Sequence, residues 1–286
     1  RDPKGHTSPS QLPDEQRVFW HTAGASAATA LSLPAGMVCR HLDLEGTDTD
    51  AWLVFTAGGG AEQPYRLFRQ RFARPSAEGA WSTVGDLERI LSNVEKDCFY
   101  PSISADGQRI AFVTEAVLSN SDSDRAADAY LWEADADRAV PTNPRCLTAT
   151  LEGTSSETCL VPDNGAIAYV TVFRQDHTEI VAVNAATNAV TAITRNDPAV
   201  QNQRAWFPRC SADGRFLVFL ARPVATQERT SPPLAQVYLY DRRAGRVIRR
   251  LSGDSAGNPA NAACNGPAIS PCGRYATFST TASNLT

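Results

Sequence analysis

The stretch Pro101-Ser-Ile-Ser-Ala-Asp-Gly-Gln-Arg-Ile-Ala-Phe-Val113 constrains this chain most, because it recurs. It returns as Pro208-Arg-Cys-Ser-Ala-Asp-Gly-Arg-Phe-Leu-Val-Phe219 and as Pro267-Ala-Ile-Ser-Pro-Cys-Gly-Arg-Tyr-Ala-Thr-Phe278. Weaker copies are Leu160-Val-Pro-Asp-Asn-Gly-Ala-Ile-Ala-Tyr169 and Leu44-Glu-Gly46, the latter leading to Trp52-Leu-Val-Phe55. Each copy reads as a strand, a tight turn and a second apolar strand, with Asp-Gly supplying the positive φ of such turns. The turn glycines Gly46, Gly107, Gly165, Gly214 and Gly273 are spaced by 61, 58, 49 and 59 residues. Units of about 57 residues are too long for a hairpin and suit a four-stranded propeller blade.

Third strands are expected at Tyr65–Phe68, Tyr130–Trp132, Ile180–Val183 and Val237–Asp241, and fourth strands at Arg145–Thr150, Ala189–Thr194 and Val247–Leu251. Residues 86–91 read as a helical turn or the end of a fourth strand. The predicted fold is all-β: a single propeller of five blades over residues 1–286. Blades are placed at 36–95, 96–150, 156–196 and 204–252. Residues 263–286 supply two further strands and residues 15–35 two more, so the N-terminal pair is expected to complete the C-terminal blade and close the ring. Runs such as Phe216-Leu-Val-Phe219 are apolar on both faces, as in sheets sandwiched between neighbours.

Charge and composition exclude some functions. The formal charge is −4 and the basic residues are scattered, which gives no nucleic-acid footprint. No apolar run has the length of a membrane helix. The sequence opens at Arg1 with no signal-peptide pattern, as expected where an upstream segment was removed or is missing. Seven cysteines leave at least one thiol unpaired, and no Cys-x-x-Cys pair or zinc spacing occurs. Cys210 fills the slot held by Ile103 and Ile269, so it reads as a small buried hydrophobe.

The unit Pro-x-Ile-Ser-x-Asp-Gly-x-x-Ile-Ala-Phe, with Val-Tyr-Leu-Tyr-Asp and a Gly turn after it, resembles the TolB-like, WD-repeat-like propeller repeats. Residues 99–132 and 207–286 carry that resemblance best. It implies a propeller, in a family whose members have six to eight blades. Members are often periplasmic or extracellular interaction platforms; others are propeller parts of peptidases or enzymes on sugar polymers. Fold resemblance does not choose among these.

Candidate chemistry is sparse. His6, His21, His41 and His177 share no metal-ligand spacing, although His41 stands beside Asp43, Glu45, Asp48 and Asp50. A metal there would need ligands from other blades. Asp122, Asp124 and Asp128 resemble a calcium spacing without its Gly and terminal Glu. Gly58–Gly60 lacks the ending of a phosphate loop, and no nucleophile elbow occurs. Neither a cofactor nor a metal is expected. The expected role is therefore a non-catalytic scaffold for a protein partner, with a glycan or small-molecule ligand, an enzyme on polymers, or part of a peptidase-like protein as alternatives. Long loops hold the recognition residues on rigid scaffolds, which points to Asp97, Tyr100, Arg204 and Trp206 near the starts of the axial first strands. Trp206 and Tyr100 packing between blades is the plainer reading.

Overall fold

The computed structural model describes residues 18–20, 28–34, 36–59, 63–92, 94–123, 126–134, 143–175, 177–224 and 233–285. These residues form strands and turns, with no helix among them. Four antiparallel four-stranded sheets follow one another along the chain. The first holds β3 (Val38–Gly46), β4 (Asp50–Gly58), β5 (Arg66–Ala73) and β6 (Ser82–Arg89). The second holds β7 (Cys98–Ile103), β8 (Arg109–Thr114), β9 (Asp128–Glu133) and β10 (Arg145–Cys146). The third holds β11 (Thr154–Leu160), β12 (Ile167–Phe173), β13 (Thr178–Asn184) and β14 (Val190–Ala192). The fourth holds β15 (Gln203–Cys210), β16 (Phe216–Pro223), β17 (Gln236–Asp241) and β18 (Arg246–Arg250). Residues 86–91 therefore end a fourth strand rather than form a helical turn.

Two shorter pairs complete the description. β1 (Phe19–Trp20) pairs with β2 (Thr29–Ala30), and β19 (Cys264–Ile269) with β20 (Ala276–Thr280). They stand in separate sheets, so the single closing sheet expected from the sequence is not hydrogen-bonded among the described residues. Apolar burial accounts for where the N-terminal pair sits. Val18 and Leu31 are buried with Cys39, Leu53, Phe55, Phe68 and Phe72 of the first sheet. β20, by contrast, is largely exposed. Arg17 and His21 lie outside the described residues.

Successive sheets pack face against face, which explains strands apolar on both sides. Tyr130, Tyr169, Phe112 and Phe219 are fully buried between them. Arg69 enters this packing as a buried cation, its guanidinium 4.8 Å from the Trp52 ring and 4.7 Å from the Trp132 ring, with Nε donating to Glu88 at 2.7 Å. Such a charge is tolerable inside only because it is paired and stacked.

The tight turns also join sheet to sheet. Ala105 N donates to Pro162 O at 2.8 Å, Asp163 N to Ala212 O at 3.1 Å and Ala212 N to Pro271 O at 3.0 Å. Gly107 has φ +71°, and a Cβ on it would fall 2.3 Å from the Trp52 ring of the preceding sheet. Gly is thus required there twice, for the turn and for the close approach. Gly46 departs from the sequence reading: it ends β3 opposite Ala51, and the turn is made by the residues after it.

Candidate site in the axial cavity

The first strands β3, β7, β11, β15 and β19 bring side chains to one cavity of about 350 Å³. His41, Asp43 and Glu45 come from β3, Tyr100 and Ser102 from β7, Glu157 and Cys159 from β11, Phe207, Arg209 and Cys210 from β15, and Ala268 and Ile269 from β19. The lining residues are in the middle and later parts of these strands, toward the tight turns.

Each of these strands carries a bulge where it meets the cavity. Register shifts fall between Arg40 and Leu42, Phe99 and Ser102, Ser155 and Glu157, Trp206 and Arg209, and Asn265 and Ala268. At four of the five the chain turns to positive φ: His41 (+40°), Tyr100 (+45°), Phe207 (+61°) and Gly266 (+55°). Positive φ at bulky side chains is strained backbone, and a bulge re-aims the side chain. His41 and Tyr100 are thereby brought into ring contact, centroids 4.2 Å apart and planes tilted by 45°.

Two of the cavity's carboxylates, Asp43 and Glu157, are tied to neighbouring sheets. Asp43 Oδ2 accepts from Ser102 Oγ at 2.9 Å and from Ile103 N at 3.0 Å. Burial nevertheless holds the Asp43 carboxyl above its ordinary range, against those two bonds and the Arg209 charge. Glu157 Oε2 accepts from Phe207 N at 2.9 Å, which links β11 to β15. Glu45 is pushed up to about 8, first by burial and then by the charges of Asp43 and Asp163. Burial, followed by the Arg40 charge, lowers the pKa of the His41 imidazole below its ordinary value. Arg209 lays its guanidinium over the Phe207 ring at 4.4 Å. No group of three or more His, Cys, Asp or Glu among the described residues is arranged to hold a metal ion.

Of the four residues singled out in the sequence, Tyr100 alone lines this cavity. Asp97 Oδ1 accepts from Tyr65 N at 2.8 Å, binding the second sheet to the first. Trp206 is half-buried against the cluster of Leu220, Val237, Ala260 and Cys264, with the Arg222 guanidinium 5.5 Å from its ring. Arg204 is exposed at the other end of β15. Asp122 and Asp128, considered for calcium, accept from Tyr130 Oη and Thr148 Oγ1. Asp124 and His6 lie outside the described residues. His41, Glu157, Phe207 and Arg209 were missed as a group, because the bulges that gather them depend on pairing across strands. The Pro after Tyr100, Phe207 and Gly266 was the available signal, since Pro inside a strand marks an edge or a bulge.

No protein-family model matches the sequence, and no curated protein does either. Solved structures do match. An oligogalacturonate lyase from Vibrio parahaemolyticus aligns at TM-score 0.58 and 13% identity, over 93% of this chain and 69% of its own. A Mycobacterium tuberculosis puromycin-hydrolyzing peptidase aligns at TM-score 0.57 and 14% identity, over 90% of this chain. The present chain spans 36% of that peptidase. TolB from Acinetobacter baumannii aligns at TM-score 0.45 and 15% identity, over 87% of this chain and 62% of its own. At these identities the likeness is one of fold, and the chain has a β-propeller fold built of antiparallel blades.

Proposed function

We propose that this chain is a non-catalytic binding propeller that receives a cationic side chain of a protein partner in its axial cavity. The observation that carries this reading is the pairing of carboxylates with strained, inward-turned aromatic residues around one opening. Asp43 and Glu157 stand against the single cation Arg209, while Glu45, pushed up to about 8, is largely protonated near neutral pH and supplies a hydrogen-bonding carboxyl instead. The Arg209 guanidinium on the Phe207 ring is an internal precedent for such a guest. Asp43 and Glu157 are held by bonds from neighbouring strands, which fixes the positions of their oxygens around the opening. A periplasmic or extracellular setting, implied by the repeat resemblance, is part of this reading.

N-acetyl-arginine amide and N-acetyl-lysine amide serve as probes in calorimetric titration. Saturable binding is expected for the wild type, with a loss of tenfold or more in Tyr100→Ala and no change in Arg242→Ala, which lies on a short outer turn. Absence of saturable binding, or binding indifferent to Tyr100, would overturn the proposal. A second reading, an enzyme on a polymer, has Glu45 in its favour, since a carboxyl titrating near 8 suits a general acid. Turnover of oligogalacturonate or of peptides that disappears in Glu45→Gln decides for that reading.

A further inference from the structure

Cys159 and Cys210 face each other across the boundary between the third and fourth sheets, their sulfur atoms 3.3 Å apart. They belong to first strands separated by 51 residues of sequence, and both line the axial cavity. The pairing is held from both sides. Toward the start of the strands, Glu157 Oε2 accepts from Phe207 N at 2.9 Å. Toward the turns, Asp163 N donates to Ala212 O at 3.1 Å. With the strands fixed on either side, the two thiols cannot drift apart. Closing to the roughly 2.05 Å of a disulfide brings the two sulfurs about 1 Å closer than they stand. Cys159 is buried and Cys210 half-buried; of the other cysteines Cys39, Cys98, Cys146 and Cys264 are buried, and Cys272 is exposed on the turn between β19 and β20.

We propose that Cys159 and Cys210 are a redox-active dithiol that closes to an inter-sheet disulfide by exchange with a low-molecular-weight disulfide entering the cavity. The thiolate of one cysteine attacks a sulfur of the small disulfide, and one thiolate leaves. The second cysteine then attacks the protein sulfur of the mixed disulfide, and the other half leaves. One S–S bond breaks and one forms. The protein pair gives up two electrons and two protons, and the small disulfide becomes two thiols. The new bond joins β11 to β15 and fixes that part of the cavity wall. Cystamine, a small symmetrical disulfide, is the probe.

The test uses the full chain carrying Cys272→Ser, which removes the exposed thiol and leaves six of the seven cysteines. Native protein is incubated with cystamine, alkylated and mapped without reduction. The expected result is loss of two alkylatable thiols, a mass lower by two hydrogens, and one cross-linked peptide pair containing Cys159 and Cys210. Dithiothreitol should restore all six thiols. With Cys210→Ser added, Cys159 should instead keep a cysteamine as a stable mixed disulfide. Six thiols still alkylatable after prolonged incubation of the folded protein, cross-linking between any other pair, or closure only in denaturant would each overturn the proposal.

Discussion

Ser102 Oγ lies 2.9 Å from Asp43 Oδ2, joining two sheets across 59 residues of sequence. The same oxygen accepts from Leu160 N at 2.9 Å, so one hydroxyl connects three consecutive sheets at the axis. Ser102→Ala leaves the amide of Leu160 without this partner and takes from Asp43 Oδ2 one of its two bonds, the one from Ile103 N remaining. Leaving buried groups unsatisfied costs about 2 kcal/mol, so the urea midpoint should fall accordingly. An effect under about 0.5 kcal/mol, the size usual for surface changes, would show that water replaces the hydroxyl.

Glu45 gives stability a pH dependence of definite sign. Its folded value, about 8, lies above its ordinary 4.5, so between those values the folded chain binds more protons than the unfolded one. Stability contributed by this group is therefore full below pH 4.5 and declines as pH rises toward 8. Glu45→Gln should leave stability near pH 4 unchanged and raise it at pH 9 by up to about 4–5 kcal/mol, less what solvent screens at this half-buried carboxyl. Parallel stability–pH curves for the two proteins would refute the assignment.

The turn glycines separate backbone strain from close packing. Gly107 and Gly245 both have positive φ, +71° and +64°, but a Cβ on Gly245 meets nothing within 4 Å. Gly245→Ala should cost about 1 kcal/mol, the price of the left-handed conformation alone. Gly107→Ala adds a clash with Trp52, and overpacking of this kind costs a further 1–3 kcal/mol or so. Thermal unfolding of the two variants measures the difference directly, and equal losses would mean that the Trp52 ring moves aside freely.

The repeat made the sheets legible because hairpin turns are local. Asp106-Gly107 and Asp213-Gly214 specify the tight turn with residues adjacent in sequence, and the strands on either side follow by polarity. The axial site was less legible. Residue type and position point to Tyr100, whereas Phe207 sits one residue beyond Trp206 and carries no such signal. Which of the two points to the axis is decided by the bulge between Trp206 and Arg209, a property of β15 paired with β16. The slot of Cys210 in the repeat marks it only as a small hydrophobe. The sulfur of Cys159 opposite it comes from another sheet, and no spacing along the chain announces that proximity. Arg69 between Trp52 and Trp132 is hidden for the same reason, since three strands in two sheets must assemble before the charge has an environment.

The N-terminal pair offers the last test, because its contribution comes from two buried side chains rather than from an extended ladder. β1 and β2 share two residue pairs, and Leu31 N donates to Val18 O at 2.8 Å just beyond them. Val18 and Leu31 are both buried on the face of the first sheet formed by Leu53, Phe55, Phe68 and Phe72. Removing residues 1–35 uncovers that apolar face, and exposed apolar sheet surface promotes association. The truncated chain should aggregate on gentle heating and unfold at a lower temperature. Leu31→Ala isolates one contact and should cost about 2–4 kcal/mol, as for other buried leucines. A truncated protein that stays monomeric in light scattering with an unchanged Tm would show that the first sheet stands without this cover.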